Sequence, residues 1–258
     1  MNILPPGTIL QLIHLKNRLK KYKPGRFLEI GPGSGEISNM LLEMGWKTGR
    51  AIDLQPKVVE RLKCRFQRQI LERRYKATKA DFFSLKGNPR DKYDLIISCM
   101  VLEHLNDRRE KQFMRLASKL LRKGGSMIGL VPASSRHWGI EDEVAGHYRR
   151  YTRDKLKSLA SVTNWKIRYL VGLTYPVSNM LLPISNILVS RFEQHKLKLA
   201  NNEKTKKSGI RNVPFKNKYP SIFRFFLNRY LLLPLHWLQM LCSNSKSALV
   251  LYFEAVPN

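Results

Sequence analysis

Between Phe27 and Glu36 the chain reads Phe-Leu-Glu-Ile-Gly-Pro-Gly-Ser-Gly-Glu. A short apolar run carrying one acid, Glu29, breaks into Gly31, Gly33 and Gly35 and then into a helical pattern. Glycines at such a turn accept backbone angles that other residues resist, and they let a ligand approach the main chain. An ordinary strand-to-helix turn could use the same residues. A dinucleotide site would space its glycines GxGxxG. Here the spacing is GxGxG, and the charge of Glu36 opposes a pyrophosphate. From Arg26 to Val131 short apolar runs alternate with helical patterns, the mark of a parallel sheet with crossover helices.

The expected strands are Arg26–Ile30, Thr48–Leu54, Lys76–Ala80, Tyr93–Cys99, Ser126–Val131, Lys166–Val171 and Lys246–Val256. Helices are expected over Glu36–Met44, Pro56–Arg74 and Arg108–Leu121, with Pro56 in a first turn, where its missing N–H costs nothing. After a polar loop from Pro132 to Arg150, Thr152 can cap a helix that reaches Val162. Ile9, Leu12, Ile13, Leu15 and Leu19 keep helical spacing and predict an amphipathic N-terminal helix. The segment Pro176–Ser245 differs from the rest. Two apolar stretches flank Asn201–Asn212, which is rich in Lys, Asn and Ser, and the segment's Lys and Arg far outnumber Glu193 and Glu203. It reads as a helical insertion. The expected organisation is an N-terminal helix (1–25), an α/β core (26–175), a basic, apolar helical insertion (176–245) and a terminal strand (246–258).

Composition excludes several classes. The chain has 258 residues, with 47 Lys and Arg against 19 Asp and Glu, a formal charge of +28. At 43% hydrophobic residues it is too apolar for a disordered polycation. A charge of this size favours a polyanion or an anionic surface as partner and says nothing of the fold. Cys64, Cys99 and Cys242 are odd in number and widely spaced, so no disulfide framework or CxxC metal pair is expected. A cytoplasmic, reducing setting is the expectation. The N-terminal apolar stretch precedes its charges, the reverse of an export signal.

The context of the glycine run narrows its meaning. Asp53 closes the second strand, 18 residues after Gly35, where a carboxylate can take both hydroxyls of a ribose. Asp81 and Phe82 follow the third strand, and the fourth runs into Met100-Val-Leu-Glu-His-Leu105. Each acid alone could be a helix cap or a solvated turn residue. In this order the residues resemble the class I S-adenosylmethionine-dependent methyltransferases, over Arg26 to about Val171 and the terminal strand. The resemblance implies a Rossmann-like α/β fold: a seven-stranded, mostly parallel sheet with helices on both faces, its last strand antiparallel between the fifth and sixth. It implies that Gly31, Gly33 and Gly35 line the methionine half of S-adenosyl-L-methionine and that Glu29 supports its ammonium. Asp53 would hold the ribose, Asp81 with Phe82 would frame the adenine, and Met100 would join the cofactor-binding set. A sulfonium and an ammonium call for acidic and carbonyl groups, which agrees with these residues.

The acceptor side is written more faintly, because methyl transfer asks for positioning and, for a hydroxyl, removal of one proton. His104 after the fourth strand and His147 after the fifth both fall at the carboxyl edge of the sheet, and either could be that base or a structural histidine. The Glu103-His104 step is similar to one in ubiquinone-biosynthesis O-methyltransferases, where further nearby acids are associated with a divalent metal. Met100 stands where that group carries a carboxylate, and a thioether is a poor ligand for a hard cation, so no metal is expected. The loop Gly146-His-Tyr-Arg-Arg-Tyr-Thr152 resembles a segment of small-molecule methyltransferases found with polysaccharide and lipid-linked glycan biosynthesis. Tyr148, Arg149 and Arg150 could bind an acidic acceptor there, since guanidinium groups pair with carboxylate or phosphate. Alternatively, the arginines pair with Glu141, Asp142 and Glu143 and pin the loop.

Two partner classes follow. Ile222–Leu241 reads as a helix with only a narrow polar stripe (Arg224, Asn228, His236, Gln239), and such a helix is either buried as a cap or lies in a membrane interface. Charges and Pro234 argue against a span, and Val177–Phe192, with Pro183 and two asparagines, is a weak span too. The preferred expectation is O-methylation of a small or lipid-linked acceptor by a protein peripheral to an anionic membrane. The alternative is an RNA methyltransferase, supported by the charge and by Phe215, Tyr219 and Phe223, although no base-methylation Asn/Asp-Pro-Pro-Tyr/Phe signature follows the fourth strand. A catalytically silent adaptor would show a damaged cofactor run, and this run is intact.

Overall fold

The computed structural model describes residues 3–86, 92–208, 213–214 and 219–258, and Phe215 lies outside them. Its centre is a seven-stranded sheet in the order β3-β2-β1-β4-β5-β7-β6. The strands are β1 (Arg26–Ile30), β2 (Thr48–Asp53), β3 (Tyr75–Lys79), β4 (Tyr93–Cys99), β5 (Leu121–Pro132), β6 (Trp165–Leu173) and β7 (Val250–Pro257). Pairings β1–β2, β1–β4, β2–β3 and β4–β5 are parallel, so these five strands share one carboxyl edge. The order places β7 between β5 and β6, as the resemblance implied. This is the class I Rossmann-like fold.

Helices α1 (Pro6–Leu19), α2 (Glu36–Glu43), α5 (Asp107–Leu120) and α7 (Arg153–Val162) match the sequence expectation closely. The expected single helix over Pro56–Arg74 is two, α3 (Pro56–Arg65) and α4 (Gln67–Leu71). The break falls at Phe66, whose backbone leaves the helical region while its ring is buried 4.5 Å from the Tyr75 ring. Strand β5 begins five residues earlier than expected. Leu121 pairs with Tyr93 and Ser126 with Leu95, so the residues between form an irregularity that lengthens the strand.

The chain divides into two compact units: Lys23–Val131 with Arg153–Leu170 and Tyr252–Asn258, and Met1–Tyr22 with Pro132–Thr152 and Val171–Leu251. The first, the sheet unit, has a dry centre of Phe27, Leu28, Leu95, Ile96, Ile97 and Ile128, continuous apolar runs of the kind a sheet covered on both faces requires. The second contains α1, α6 (Ile140–Ala145), α8 (Val177–Glu193), α9 (Asn201–Ser208) and α10 (Leu233–Leu241). Ile9, Leu10 and Ile13 of α1 pack with Leu232, and Val177, Leu227, Leu233 and Leu235 close around them. Gln239, fully buried, accepts the Thr174 N–H at 2.8 Å and donates to the Leu10 carbonyl at 3.3 Å. Part of the expected linker Asn201–Asn212 is helix α9; residues 209–212 lie outside the described ones.

The continuous helix expected over Ile222–Leu241 is absent. A 3-10 turn at Ser221–Arg224 is followed by turns, and α10 starts only at Leu233. Asn228 explains the interruption: its side-chain oxygen accepts the N–H groups of Tyr230 and Leu231 at 2.9 and 3.1 Å, offering the backbone an alternative to helical bonding. Pro234 completes it, since proline fits a first helical turn and not an interior.

Candidate functional site

In the sheet unit Gly31, Gly33 and Gly35 follow the carboxyl end of β1. Glu29, the penultimate residue of β1, is buried, and its Oε2 accepts the Ser38 hydroxyl from the first turns of α2. Tyr75 donates to that Ser38 oxygen at 3.0 Å. Burial raises the Glu29 carboxyl to about 7, against the opposing hydrogen bonds from Ser38. Gly31, Gly33 and Gly35 all have positive φ, 67°, 54° and 81°. A Cβ on Gly33 would meet nothing within 4 Å, whereas one on Gly35 would stand 2.6 Å from Leu62 and 2.8 Å from Phe66. The loop is thus open at Gly33, where a ligand can touch the backbone, and packed shut at Gly35.

Asp53 ends β2 and accepts the Gln55 N–H at 2.8 Å; burial raises its carboxyl from the ordinary range. Asp81 follows β3, caps a short turn by accepting the Phe83 N–H at 3.0 Å, and faces Arg109 at 3.9 Å. Phe82 is buried with its ring 4.4 Å from that of Phe113, which makes it a core residue of this turn. Its neighbour Phe83 is the partly exposed ring, covered by the Arg109 guanidinium at 4.5 Å. Met100 follows β4 at φ 54°, left-handed backbone that a non-glycine residue rarely adopts, and its N–H binds the Leu130 carbonyl. His104 sits in the next turn, Leu102–His104, beside the fully buried Glu103. Glu29, Asp53 and Asp81 therefore line one sheet edge with an open glycine turn. That donor set suits a ligand bearing an ammonium, a sulfonium and ribose hydroxyls, and it fits S-adenosylmethionine.

His147 belongs to the second unit. Helix α6 ends at Gly146, whose φ of 73° makes it a left-handed cap, and the next residue is His147. The His147 N–H binds the Asp142 carbonyl at 2.9 Å, and its Nδ1 lies 2.8 Å from Asp142 Oδ1. Asp142 is fully buried and also receives Arg150 through Nε and an Nη at 2.9 Å and the Gly139 N–H at 3.0 Å. Burial pushes the Asp142 carboxyl up, but the His147 hydrogen bond and the Arg150 charge outweigh this and hold it below its ordinary value. An ionised carboxylate only accepts, so the Asp142 contact places a proton on Nδ1 of His147.

Arg150, nearly buried, is held by Asp142 and the Ala133 carbonyl, and Tyr151 beside it is fully buried and bridges to Ala133. Tyr148 is 46% exposed and Arg149 half-buried, so of the three residues assigned to the acceptor Tyr148 is the one most open to it. Sequence reading passed over Ser38, Phe83 and the orienting role of Asp142. A serine on the buried face of α2 and an acid five residues before a histidine were the available signals.

A family model described as a methyltransferase domain matches residues 8–170. No curated protein matches the chain. Among solved structures, a protein of Bacillus halodurans C-125 assigned as a methyltransferase superposes with a TM-score of 0.57 at 11% identity, over 94% of this chain and 97% of its own. An S-adenosylmethionine-dependent methyltransferase from Clostridium acetobutylicum gives 0.52 at 16% identity, over 66% and 84%. Magnesium protoporphyrin IX methyltransferase from Synechocystis PCC 6803, with S-adenosylhomocysteine bound, gives 0.53 at 16%, over 65% and 78%. At these identities the likeness is one of fold.

Proposed function

This chain belongs to the methyltransferase domain family and is an S-adenosylmethionine-dependent methyltransferase, and from that premise we propose that it methylates a hydroxyl of a small or lipid-linked acceptor at an anionic membrane surface. When bound, S-adenosylmethionine supplies an electrophilic methyl group on a sulfonium. Glu29, Gly31, Gly33, Gly35, Asp53 and Asp81, with Met100 beside them, would hold it. Nε2 of His147 takes the hydroxyl proton as the acceptor oxygen becomes a nucleophile, and Asp142 stabilises the imidazolium that forms. His104 is the other candidate base. Tyr148 and Arg149 meet an acidic acceptor. One of the neighbours in fold has a small-molecule acceptor, magnesium protoporphyrin IX.

One observation carries the membrane reading: α8 is turned inside out. Asn179 donates to the Ser247 carbonyl at 2.9 Å, Ser185 to Glu141, and Asn186 lies against Gly139, so these three polar side chains face into their unit. Met180, Ile184 and Ile187, one face at i, i+4 and i+7, are 74, 58 and 67% exposed. Phe225, Phe226, Tyr230, Trp237 and Leu241 of the same unit are exposed as well. Aromatic rings of this kind favour the membrane interface. Among the described residues no helix is long and apolar enough to cross a membrane.

The test is transfer of a labelled methyl group from S-adenosylmethionine into extracted lipid, small-molecule and RNA fractions offered together. Label in the lipid or small-molecule fraction, lost in His147→Ala or His104→Ala, supports the proposal. Label in RNA alone overturns it.

A further inference from the structure

We propose that the sheet unit carries a second ligand site, at the amino edge of its strands, for a compact polyanion bearing two or more phosphate groups. A cavity of about 860 Å³ opens there, between the segment that enters β1 and the first residues of β2, β3, β4 and β5. Glu29, Asp53 and Asp81 lie at the opposite, carboxyl edge, separated from it by the length of strands that rise about 3.3 Å per residue. The cavity therefore lies apart from the cofactor residues.

Its charged lining is almost wholly cationic. Seven Lys or Arg residues line it, against the one carboxylate of Asp94. That carboxylate is already engaged, accepting the Arg26 N–H at 2.6 Å and pairing with Arg122 at 3.2 Å. Lys23, Lys47, Arg50, Arg73 and Lys76 have no acidic partner among the described residues. Buried Nε of Arg50 donates to no protein acceptor among them either. Like charges gathered around one concavity repel each other, and a low-dielectric wall focuses their field into the cavity. Parallel topology assembles the cluster. Lys47 and Arg50 flank the start of β2, Arg73 and Lys76 flank the start of β3, and Arg122 lies near the start of β5.

Size and wall chemistry select the ligand. The volume lies in the range of small-molecule sites. Single-stranded nucleic acid would need exposed rings for its bases. Here the aromatic walls are Phe27, Tyr75 and Tyr93, all buried, and the Arg26 guanidinium lies 5.8 Å from the Tyr93 ring centre. Guanidinium and ammonium groups without a base platform match phosphate oxygens. A free polyphosphate and a polyphosphorylated lipid headgroup share this chemistry.

Calorimetry of the full chain with inorganic tripolyphosphate at about 0.15 M salt tests the site, with S-adenosylhomocysteine titrated in parallel. Binding is expected, and Lys47→Glu with Lys76→Glu, both exposed, should weaken it at least about tenfold per charge reversed. Affinity for S-adenosylhomocysteine should stay within about twofold, which also reports that the variant is folded. Vesicles containing a polyphosphoinositide, compared with phosphatidylserine vesicles of equal charge, distinguish the two sources. Preference for the former, lost in the variant, assigns a headgroup, and tripolyphosphate binding without that preference assigns a soluble anion. No tripolyphosphate binding, binding unchanged in the variant, or far tighter binding of single-stranded RNA through the same lysines would overturn the proposal.

Discussion

The ring of Phe66 fills the space beside Gly35 so closely that a Cβ there would come within 2.8 Å of its Cε2. The residue that breaks the α3–α4 helix is therefore also the one that closes the glycine turn from behind. Gly33, two residues earlier, has open space in the corresponding direction. Both have positive φ, which costs a side chain about 1–2 kcal/mol. Gly35→Ala adds overpacking, typically about 1–3 kcal/mol more. Denaturant unfolding should rank Gly35→Ala clearly below Gly33→Ala in stability. Gly33→Ala, in turn, should lose affinity for S-adenosylhomocysteine while staying folded. Equal stability of the two variants would remove Phe66 from this account.

Glu29 should make cofactor binding pH-dependent. Burial raises its folded-state pKa from 4.5 to about 7, so between those values the folded protein holds a proton that the unfolded chain has released. Stability therefore falls as pH rises from about 4.5 to about 7, by an amount of order 3 kcal/mol, and Glu29→Gln should flatten that slope. An ammonium placed beside the carboxyl favours its ionised form, so the ligand should release a proton on binding near pH 6 and bind more tightly as pH rises through 7. Titrations in buffers of different ionisation enthalpy count that proton. The same heat in every buffer would mean that Glu29 does not meet the ammonium.

Asp53 should contribute directly to affinity. Its loss as Asp53→Ala removes a charge-assisted acceptor, which typically costs about 1.5–3 kcal/mol, roughly ten- to a hundredfold in Kd. Calorimetry with S-adenosylhomocysteine measures this. Full affinity in a folded variant would take the ribose away from Asp53.

Asp142 holds the His147 ring through Nδ1, so Asp142→Asn should lower turnover by about 10²–10⁴ if His147 is the base. Arg150 would lose its partner in the same variant, and breaking a buried pair costs about 3–5 kcal/mol. Asp142→Asn with Arg150→Met separates the two effects, since it removes the buried charge along with the carboxylate. Stability regained without activity, with S-adenosylhomocysteine still bound, identifies a positioning role. Activity regained together with stability would reduce Asp142 to a structural anchor.

Much of the sheet unit was legible because its signals are local. Strands β1 and β4 have the expected ends, and three glycines at alternate positions with Glu29, Asp53 and Asp81 in order point to one edge of a parallel sheet. What escaped depends on tertiary choice. Phe66 leaves its helix to bury a ring, and Asn228 captures two N–H groups that a helix would have used. Periodicity shows that α8 has two faces but not that the polar one turns inward. Phe82 and Phe83 are equivalent in sequence, and packing on Phe113 decides which is buried. The net charge of +28 is a sum, whereas the cationic cavity gathers residues from Lys23 to Arg122 that only parallel pairing brings together.

If the outward face of α8 meets lipid, its apolar residues and the surrounding cations should act together. Met180, Ile184 and Ile187 expose apolar area, and burial of such area is worth about 25 cal/mol per Å². Each Lys or Arg near an anionic surface adds roughly 1 kcal/mol, an attraction screened over about 8–10 Å at physiological salt. The protein should therefore sediment with phosphatidylserine-containing vesicles, less with neutral ones, and less again as salt rises. Ile184→Glu with Ile187→Glu should abolish sedimentation at all salt concentrations, because it removes apolar area and adds repulsion. These side chains are exposed, so the variant should keep its unfolding midpoint and its affinity for S-adenosylhomocysteine. A purely electrostatic association would behave differently: it would weaken only modestly in this variant and still vanish in salt. Unchanged sedimentation of the double variant would show that α8 is not the face that meets the bilayer.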